Sequence, residues 1–462
     1  MIKIDEEKIK CIREGLEEHN YDIYYQRING EINYHINPWS SYEEVIYRLN
    51  NYEKKIRIIF KLLLLSEEVI YTEAIECCGK SFIDALIDVG FLERDKDALF
   101  GKSFSIISYY GFFFVVDTFP EYPNGKGEQK VYIGSDTYRL CASLPKKNGE
   151  KVLDLCTGSG IQGIVEASYC KELVLVEKNE EVIPITRFNT ILNQCAEKTK
   201  VVCSDLYSNV NEEKYDLITA NPPFIPVPEN VYFPGVGDGG EDGLKVIVGI
   251  IEGLDDYLKV GGTCRVIGEC LGDEESTLLF KKIKVMLPIG YKCNLFLQAR
   301  NSKSQYIESV INLYKKQIDE EIDEKNLKYR FEDLFKKLVV NSYYMFLLDI
   351  KKCENEESEF KQIKNYSIWE DEIFPLISEE VDFASDNENC KVYFKTMNLG
   401  TVPRRIERCL KDCNGSSTID QIVERYCGNE YGATRQIFET VCEALEKVGA
   451  MCHTREIKGS VI

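Results

Sequence analysis

Histidine is scarce in this chain: His19, His35 and His453 are the only three in 462 residues. None lies in the central part, where the other motifs cluster, which argues against Ser-His or histidine-metal hydrolysis. Long apolar runs are missing too. The longest, around 56–65, is interrupted by Arg57 and Lys61 and falls short of a membrane span. No basic leader with an apolar stretch and a small-residue cleavage site opens the chain, so a cytoplasmic protein without membrane contact is expected. Positive charge is in deficit, with 57 Lys and Arg against 77 Asp and Glu and a formal net charge of −20. That balance opposes binding to phosphate backbones. A local basic patch would escape the argument, so nucleic acid becomes the less favoured partner rather than an excluded one.

Cysteine is abundant, at 18 residues, but scattered through apolar strand and helix patterns, as expected of reduced, buried thiols. Cys77 and Cys78 are adjacent and Cys409 and Cys413 are four apart, with no second pair or histidine at zinc-ligand spacing; no metal site is expected. With 44% hydrophobic and 29% charged residues the chain can bury several cores behind a charged surface. Its length suggests two to four domains.

Residues 1–126 read as an N-terminal helical domain. Ile9, Ile12 and Leu16 keep helical spacing, and 37–41 (N-P-W-S-S) marks a break. Helices are expected at 42–65, 67–77 and 82–89, then a β hairpin from Phe91-Leu92 and 103–116, and a linker at 120–127. Three helices and a hairpin resemble a winged-helix module. Its third helix, K-S-F-I-D-A-L-I-D-V, is too poor in basic residues for a DNA reader, which favours substrate positioning or dimerisation. In 131–144 (V-Y-I-G-S-D-T-Y-R-L-C-A-S-L) Asp136 is placed to cap a helix.

Next comes an alternation typical of an α/β, doubly wound sheet: strand 151–156, helix 161–169, strand 173–177, helix 180–195, strands 200–204 and 215–220, helix 243–258, strand 263–269. Two more strands, 292–298 and 306–313, are expected to pair antiparallel. The organising stretch is Lys151 to Gly163, K-V-L-D-L-C-T-G-S-G-I-Q-G, which reads as buried strand, glycine turn and helix start. Gly158, Gly160 and Gly163 satisfy G-x-G-x-x-G, with Glu177 at the distance of a ribose-binding acid, so this turn alone leaves NAD open.

Ligands of such sheets sit outside the carboxyl ends of the strands. Asp154, Glu177 and Asp205 stand at three of those ends, and Asn221-Pro222-Pro223-Phe224 closes a fourth. Glu177 can accept both hydroxyls of a ribose, and Asp205 with Leu206 can meet an adenine. The two prolines stiffen the corner, so that the Asn221 side-chain oxygen and the Pro222 carbonyl can both accept from an incoming N–H, beside the flat face of Phe224. The corner suits a nitrogen nucleophile.

In this order and spacing D-L-C-T-G-S-G-I-Q-G, V-E-K-N, C-S-D-L and N-P-P-F resemble the class I S-adenosylmethionine-dependent methyltransferases, within which the N-P-P-F/Y group methylates nitrogen. The resemblance implies S-adenosyl-L-methionine as cofactor in a seven-stranded Rossmann-like sheet, whose antiparallel last strand pair is unlike that of dinucleotide dehydrogenases. It places Asp154, Gly158 and Gly160, with Cys156, Thr157 and Ser159, around the methionine part. Glu177 with Lys178 falls to the ribose, Asp205 with Leu206 to the adenine, and Asn221, Pro222, Pro223 and Phe224 to the acceptor nitrogen. The run 235–244 (G-V-G-D-G-G-E-D-G-L) is similar to the F-G-G-E-D-G-L segment of release-factor glutamine methyltransferases and reads as a loop that could order over the site. Those relatives carry Tyr where this chain has Phe224.

The expected layout is a methyltransferase domain at 127–316, a charged linker and packing segment at 317–388 with an apolar stretch from 338 to 350, and a small helical, winged-helix-like domain at 389–462 with helices at 403–410, 418–426 and 434–448. The expected activity is methyl transfer to an amide or amine nitrogen of a small molecule, peptide or protein, with a homodimer compatible with the flanking domains. Two alternatives stand beside it: an adenine or guanine N-methyltransferase acting on RNA or DNA, and a non-catalytic assembly protein that keeps the cofactor fold.

Overall fold

A computed structural model describes residues 2–29, 42–120, 122–123, 125, 129–233, 236–317, 323–354, 357–364, 374–386, 389–394, 397–428, 431–447 and 450–454. The expected break at 37–41 and part of the linker at 120–127 lie outside these residues. The chain forms two compact units, 1–365 and 366–462.

The first unit is built on one mixed sheet. Its strands, in chain order, are β1 Lys151–Leu155, β2 Glu172–Glu177, β3 Thr199–Cys203, β4 Tyr215–Ala220, β5 Leu258–Gly272, β6 Tyr291–Ser302, β7 Ser342–Lys352 and β8 Glu359–Lys364. Their spatial order is β8-β6-β7-β5-β4-β1-β2-β3. β1 to β5 pair parallel. Val152, Leu153, Leu155, Leu173 and Leu175 have no exposed surface, which is why these strands read as apolar runs rather than as alternation. Strand order reverses direction at β1 and β4, so the crevice for a ligand lies beyond their carboxyl ends.

The far half of the sheet departs from the expectation. Residues 306–313 are not a strand but part of a helix, Lys303–Gln317. Tyr306, Ile307, Val310, Ile311 and Tyr314 are all buried, and this i, i+1, i+4, i+5, i+8 spacing follows a helical period. A second helix, Glu324–Leu338, starts at Asp323, whose carboxylate accepts from Asn326 N at 3.1 Å. The apolar stretch after it, placed in a linker on sequence grounds, is β7. It inserts between β5 and β6, antiparallel to both, from Thr263↔Lys351 to Gly272↔Ser342 on one side. β8 adds parallel to β6, making eight strands where seven were expected. Its E-F-K-Q-I-K sequence, with Glu359, Lys361 and Lys364 exposed, suits a sheet edge.

Before the sheet, helices Lys54–Leu63, Tyr71–Cys78 and Lys80–Asp88 pack with a three-stranded sheet of 69–70, 98–101 and 92–95. The partner of Leu92 is therefore 98–101, and 104–117 forms a hairpin of its own. That hairpin turns at Tyr110-Gly111, both with positive φ, as a two-residue hairpin turn demands. Two asparagines on the helix Ile183–Leu192 and its cap bind this hairpin. Asn189 Oδ1 accepts from Val115 N at 2.8 Å and its Nδ2 donates to Val115 O at 3.0 Å. Asn193 does the same with Phe113, at 2.9 and 2.7 Å.

The second unit holds helices Arg404–Lys411, Ile419–Tyr426 and Tyr431–Lys447, a three-stranded antiparallel sheet of 381–385, 389–394 and 397–403, and a pair 374–377 with 451–454. The middle helix starts in a capping box: Thr418 Oγ1 accepts from Gln421 N while Gln421 Oε1 accepts from Thr418 N at 3.0 Å. No helix among the described residues is long and apolar enough to cross a membrane.

Candidate active site

β1 ends at Leu155, and the backbone then reverses through Cys156, Gly158 and Gly160, with φ of 55°, 52° and 85°. Left-handed geometry explains the first two glycines of the motif. The third, Gly163, is there for space: a Cβ on it would lie 2.3 Å from Leu175 Cδ2, so only glycine lets the helix 161–166 sit this close to β2. The turn is held from below. Thr186 Oγ1 donates to Gly158 O at 2.7 Å, and Asn189 Nδ2 donates to Ser159 O at 2.9 Å. Asn189 thus ties the glycine turn to the 104–117 hairpin.

Asp154 is fully buried beneath this turn, where it accepts from Gly163 N at 3.1 Å and from Thr157 Oγ1. It braces the loop and does not line the cavity, unlike Cys156, Thr157, Gly158 and Ser159. Burial pushes its carboxyl up to about 7, against the hydrogen bonds from Thr157 and Gly163. Glu177, at the end of β2, accepts from Gly158 N at 3.0 Å and from Asn179 N at 2.8 Å, each on a different oxygen. Each oxygen keeps a lone pair for a ligand hydroxyl. Lys178 pairs with Asp205 at 2.6 Å on the open side, beside Leu206.

Asn221 to Phe224 follow β4 and share one cavity of about 680 Å³ with the glycine turn, Glu177 and Asp205. Asn221 Nδ2 donates to Asp136 Oδ2 at 2.6 Å and to Thr137 Oγ1 at 3.3 Å. Asp136 does not cap its helix: Gly134 is the N-cap, and Gly134 N donates to Thr137 Oγ1 at 3.3 Å. The glycine-rich run is pinned rather than loose over its described part, 236–243; Gly235 lies outside it. Ile225 N donates to Gly237 O, Gly239 N to Ile225 O and Val227 N to Gly240 O, each at 2.9 Å. A Cβ on Gly239 would lie 2.8 Å from Phe224 Cα, and one on Gly243 would lie 2.5 Å from Phe224 O, so these glycines press on the backbone that aims Phe224. Val227 and Phe233 continue into a core made with the helices 303–317 and 324–338.

Gly243→Ala is accordingly expected to disturb the corner at Asn221 to Phe224, since it adds a clash at a φ of 75°. Strain of this kind costs about 1–3 kcal/mol. Methyl transfer should fall by more than about tenfold while the overall fold survives; the comparison is initial rate against circular dichroism and melting temperature.

Asp136, Thr137, Thr186, Asn189 and Asn193 carry no recognisable motif, because their partners lie far off in sequence. Buried carboxylates give a second expectation. Asp154, Glu166 and Glu269 are each pushed up to about 7, first of all by burial. Raised carboxylates hold protons in the folded state that the unfolded chain releases near pH 4, so their contribution falls as pH rises from about 4 to about 7. Depressed ones such as Asp255, lowered by Lys352 and Tyr291, act below that range. Melting temperature is therefore expected to drop by a few degrees between about pH 5.5 and 7.5, with a shallower slope in Asp154→Asn.

Among the described residues no cluster of three or more His, Cys, Asp or Glu could hold a metal ion. The glycine turn, Glu177 and the rigid N-P-P-F corner share one crevice that fits S-adenosylmethionine, and fold and site together define a class I S-adenosylmethionine-dependent methyltransferase. Residues 127–279 match the methyltransferase small domain family. A relative provisionally named as a protein N5-glutamine methyltransferase of Methanocaldococcus jannaschii is 30% identical over 165 residues, 35% of this chain and 80% of that one. The ribosomal protein uL3 glutamine methyltransferase of Francisella tularensis subsp. tularensis is 31% identical over 24% of this chain and 38% of its own length. For the release factor glutamine methyltransferase of Thermodesulfovibrio yellowstonii the figures are 31%, 26% and 46%. The chain thus spans under half the length of those last two relatives. The chain belongs to the N5-glutamine methyltransferase family.

Proposed function

We propose that the chain methylates the side-chain amide nitrogen of a glutamine in a protein substrate. The observation that carries this reading is the orientation of Asn221. With its NH₂ turned to Asp136 and Thr137, its Oδ1 is left to accept from the acceptor nitrogen. The relatives' names point to glutamine as the residue modified.

In this reading Cys156 to Ser159 line the methionine part of the cofactor, braced from below by Asp154 and Gly160. Glu177 holds the ribose, and Lys178, Asp205 and Leu206 border the adenine. The cofactor supplies a methyl group made electrophilic by a sulfonium centre. An amide lone pair is delocalised; Asn221 Oδ1 and Pro222 O, accepting the two N–H bonds, favour the pyramidal nitrogen that can attack. Phe224 and Pro223 wall the planar group, and the chain contributes mostly position. The methylated nitrogen releases one of its two protons to solvent, so no histidine base is called on.

The helices 54–63, 71–78 and 80–88 with their three-stranded sheet are best read as a winged-helix module that serves packing and substrate placement. Phe82, Ile83, Ala85 and Leu86 of its third helix are buried, and Gly15 lies directly against Phe82. The second unit is read in the same way, as a small winged-helix-like module that meets a protein or a second copy of the chain, in a cytoplasmic enzyme.

Incubation with methyl-labelled S-adenosylmethionine and host lysate tests the substrate class. Label in protein, recovered as N5-methylglutamine after enzymatic digestion, supports the reading; label confined to nucleic acid or small molecules overturns it.

A further inference from the structure

A carboxamide is the one acceptor-binding group that can face two ways, and nothing in Asn221 itself decides between them. Its Oδ1 and NH₂ ends have nearly the same shape, so an amide turned by 180° would present donors to the N–H bonds of an incoming amide. We infer that Asp136 is a positioning residue for methyl transfer, acting through Asn221 by locking its carboxamide with the oxygen toward the acceptor. The inference rests on the reading of Asn221 as the group that binds the acceptor nitrogen.

The geometry is specific. Asp136 and Thr137 sit in the first turn of the helix Ser135–Ser143, on a segment 85 residues away from Asn221 in sequence. An ionised carboxylate only accepts, so the 2.6 Å contact to Asp136 Oδ2 must be made by NH₂. Thr137 Oγ1 already accepts from Gly134 N, and its second lone pair takes the other amide proton at 3.3 Å. Two acceptors on one helix start thus face one NH₂ group. Pro222 on the far side of the amide has no N–H to compete.

Protonation would undo the lock. A neutral carboxyl carries a donor and can face an amide oxygen instead, so the active orientation requires Asp136 ionised. Burial raises its pKa, while the hydrogen bond from Asn221, the backbone N–H of Thr137 and Arg139 hold it down. The other titratable groups facing it are Tyr132 and, from β5, Glu269, with Tyr343 of β7 and Tyr306 of the helix 303–317 beyond. The acid limb of the rate profile should therefore track Asp136, persisting in Glu269→Gln and vanishing in Asp136→Asn, whose carboxamide carries donors as the neutral acid does and so holds the low-pH rate at every pH.

The test uses the full chain with ¹⁵N labelling, S-adenosylhomocysteine as binding probe and labelled cofactor for transfer. Asp136→Ala should keep S-adenosylhomocysteine affinity within about twofold and lose about 10- to 100-fold in kcat, and Asp136→Asn should run at the reduced rate of the wild type below its acid limb. A helix-start role alone would lower the melting temperature of both variants and leave kcat in place. The side-chain NH₂ signal of Asn221, assigned by its loss in Asn221→Ala, should be protected from exchange in the wild type and unprotected in Asp136→Ala. Wild-type kcat or an unchanged Asn221 signal in Asp136→Ala overturns the inference. Should the wild type methylate no protein glutamine, the functional reading falls, and the Asn221 signal still decides whether Asp136 sets the amide.

Discussion

Asn221→Ala is expected to bind S-adenosylmethionine as tightly as the wild type and to lose methyl transfer by about 10²- to 10³-fold, the cost of removing one preorganised hydrogen-bonding group from a reacting centre. The separation of effects follows from position. Cys156 to Ser159, Glu177 and Asp205 line the crevice around the glycine turn, while Asn221 makes its side-chain hydrogen bonds to Asp136 and Thr137. None of the contacts that brace the glycine turn involves it. Pro222 and Pro223 keep the corner rigid after truncation, so the lost rate reports the missing acceptor for the substrate N–H. Calorimetry with S-adenosylhomocysteine beside a labelled-methyl assay reads both halves. Transfer at the wild-type rate would mean that the acceptor nitrogen sits elsewhere.

Glu177→Ala should show the opposite pattern, a loss of cofactor affinity of about 10- to 100-fold, the range for charged hydrogen bonds. Two effects combine here. In the proposed site the carboxylate accepts from a ribose, and it holds the N–H groups of Gly158 and Asn179 at 3.0 and 2.8 Å, so its removal loosens the turn before any ligand arrives. Glu177→Gln separates them, because its single carbonyl oxygen can keep one of the two backbone contacts; an intermediate affinity is expected. Equal affinity in wild type and Glu177→Ala, by calorimetry, would remove Glu177 from the cofactor site.

What could be read from the chain was local. Leu153, Leu155 and the glycines of the first turn write strand, turn and helix within thirteen residues, and the parallel half of the sheet followed from them. The far half differs at Tyr306 to Leu313, where β-branched and aromatic residues suggest a strand while their spacing is helical. The true neighbour of β6 lies some forty residues further on, behind a pair of charged helices, and no local pattern announces a pairing of that range. The site divides in the same way. N-P-P-F and Glu177 stand out as motif and spacing, whereas Asp136 resembles an ordinary helix cap until the fold brings Asn221 to it. Asn189 and Asn193 look like surface residues of a helix, and only the hairpin at 104–117 gives each one a strand to bind.

Since β7 lies between β5 and β6, synthesis order matters for this enzyme. When the ribosome has delivered the chain through Gly272, β5 still lacks its β7 neighbour, and Gly268 of that strand backs Phe224. Some seventy further residues must emerge before Ser342 to Lys352 can slot into place and steady that wall. The wall behind Phe224 is therefore completed only by residues some seventy positions beyond the end of β5.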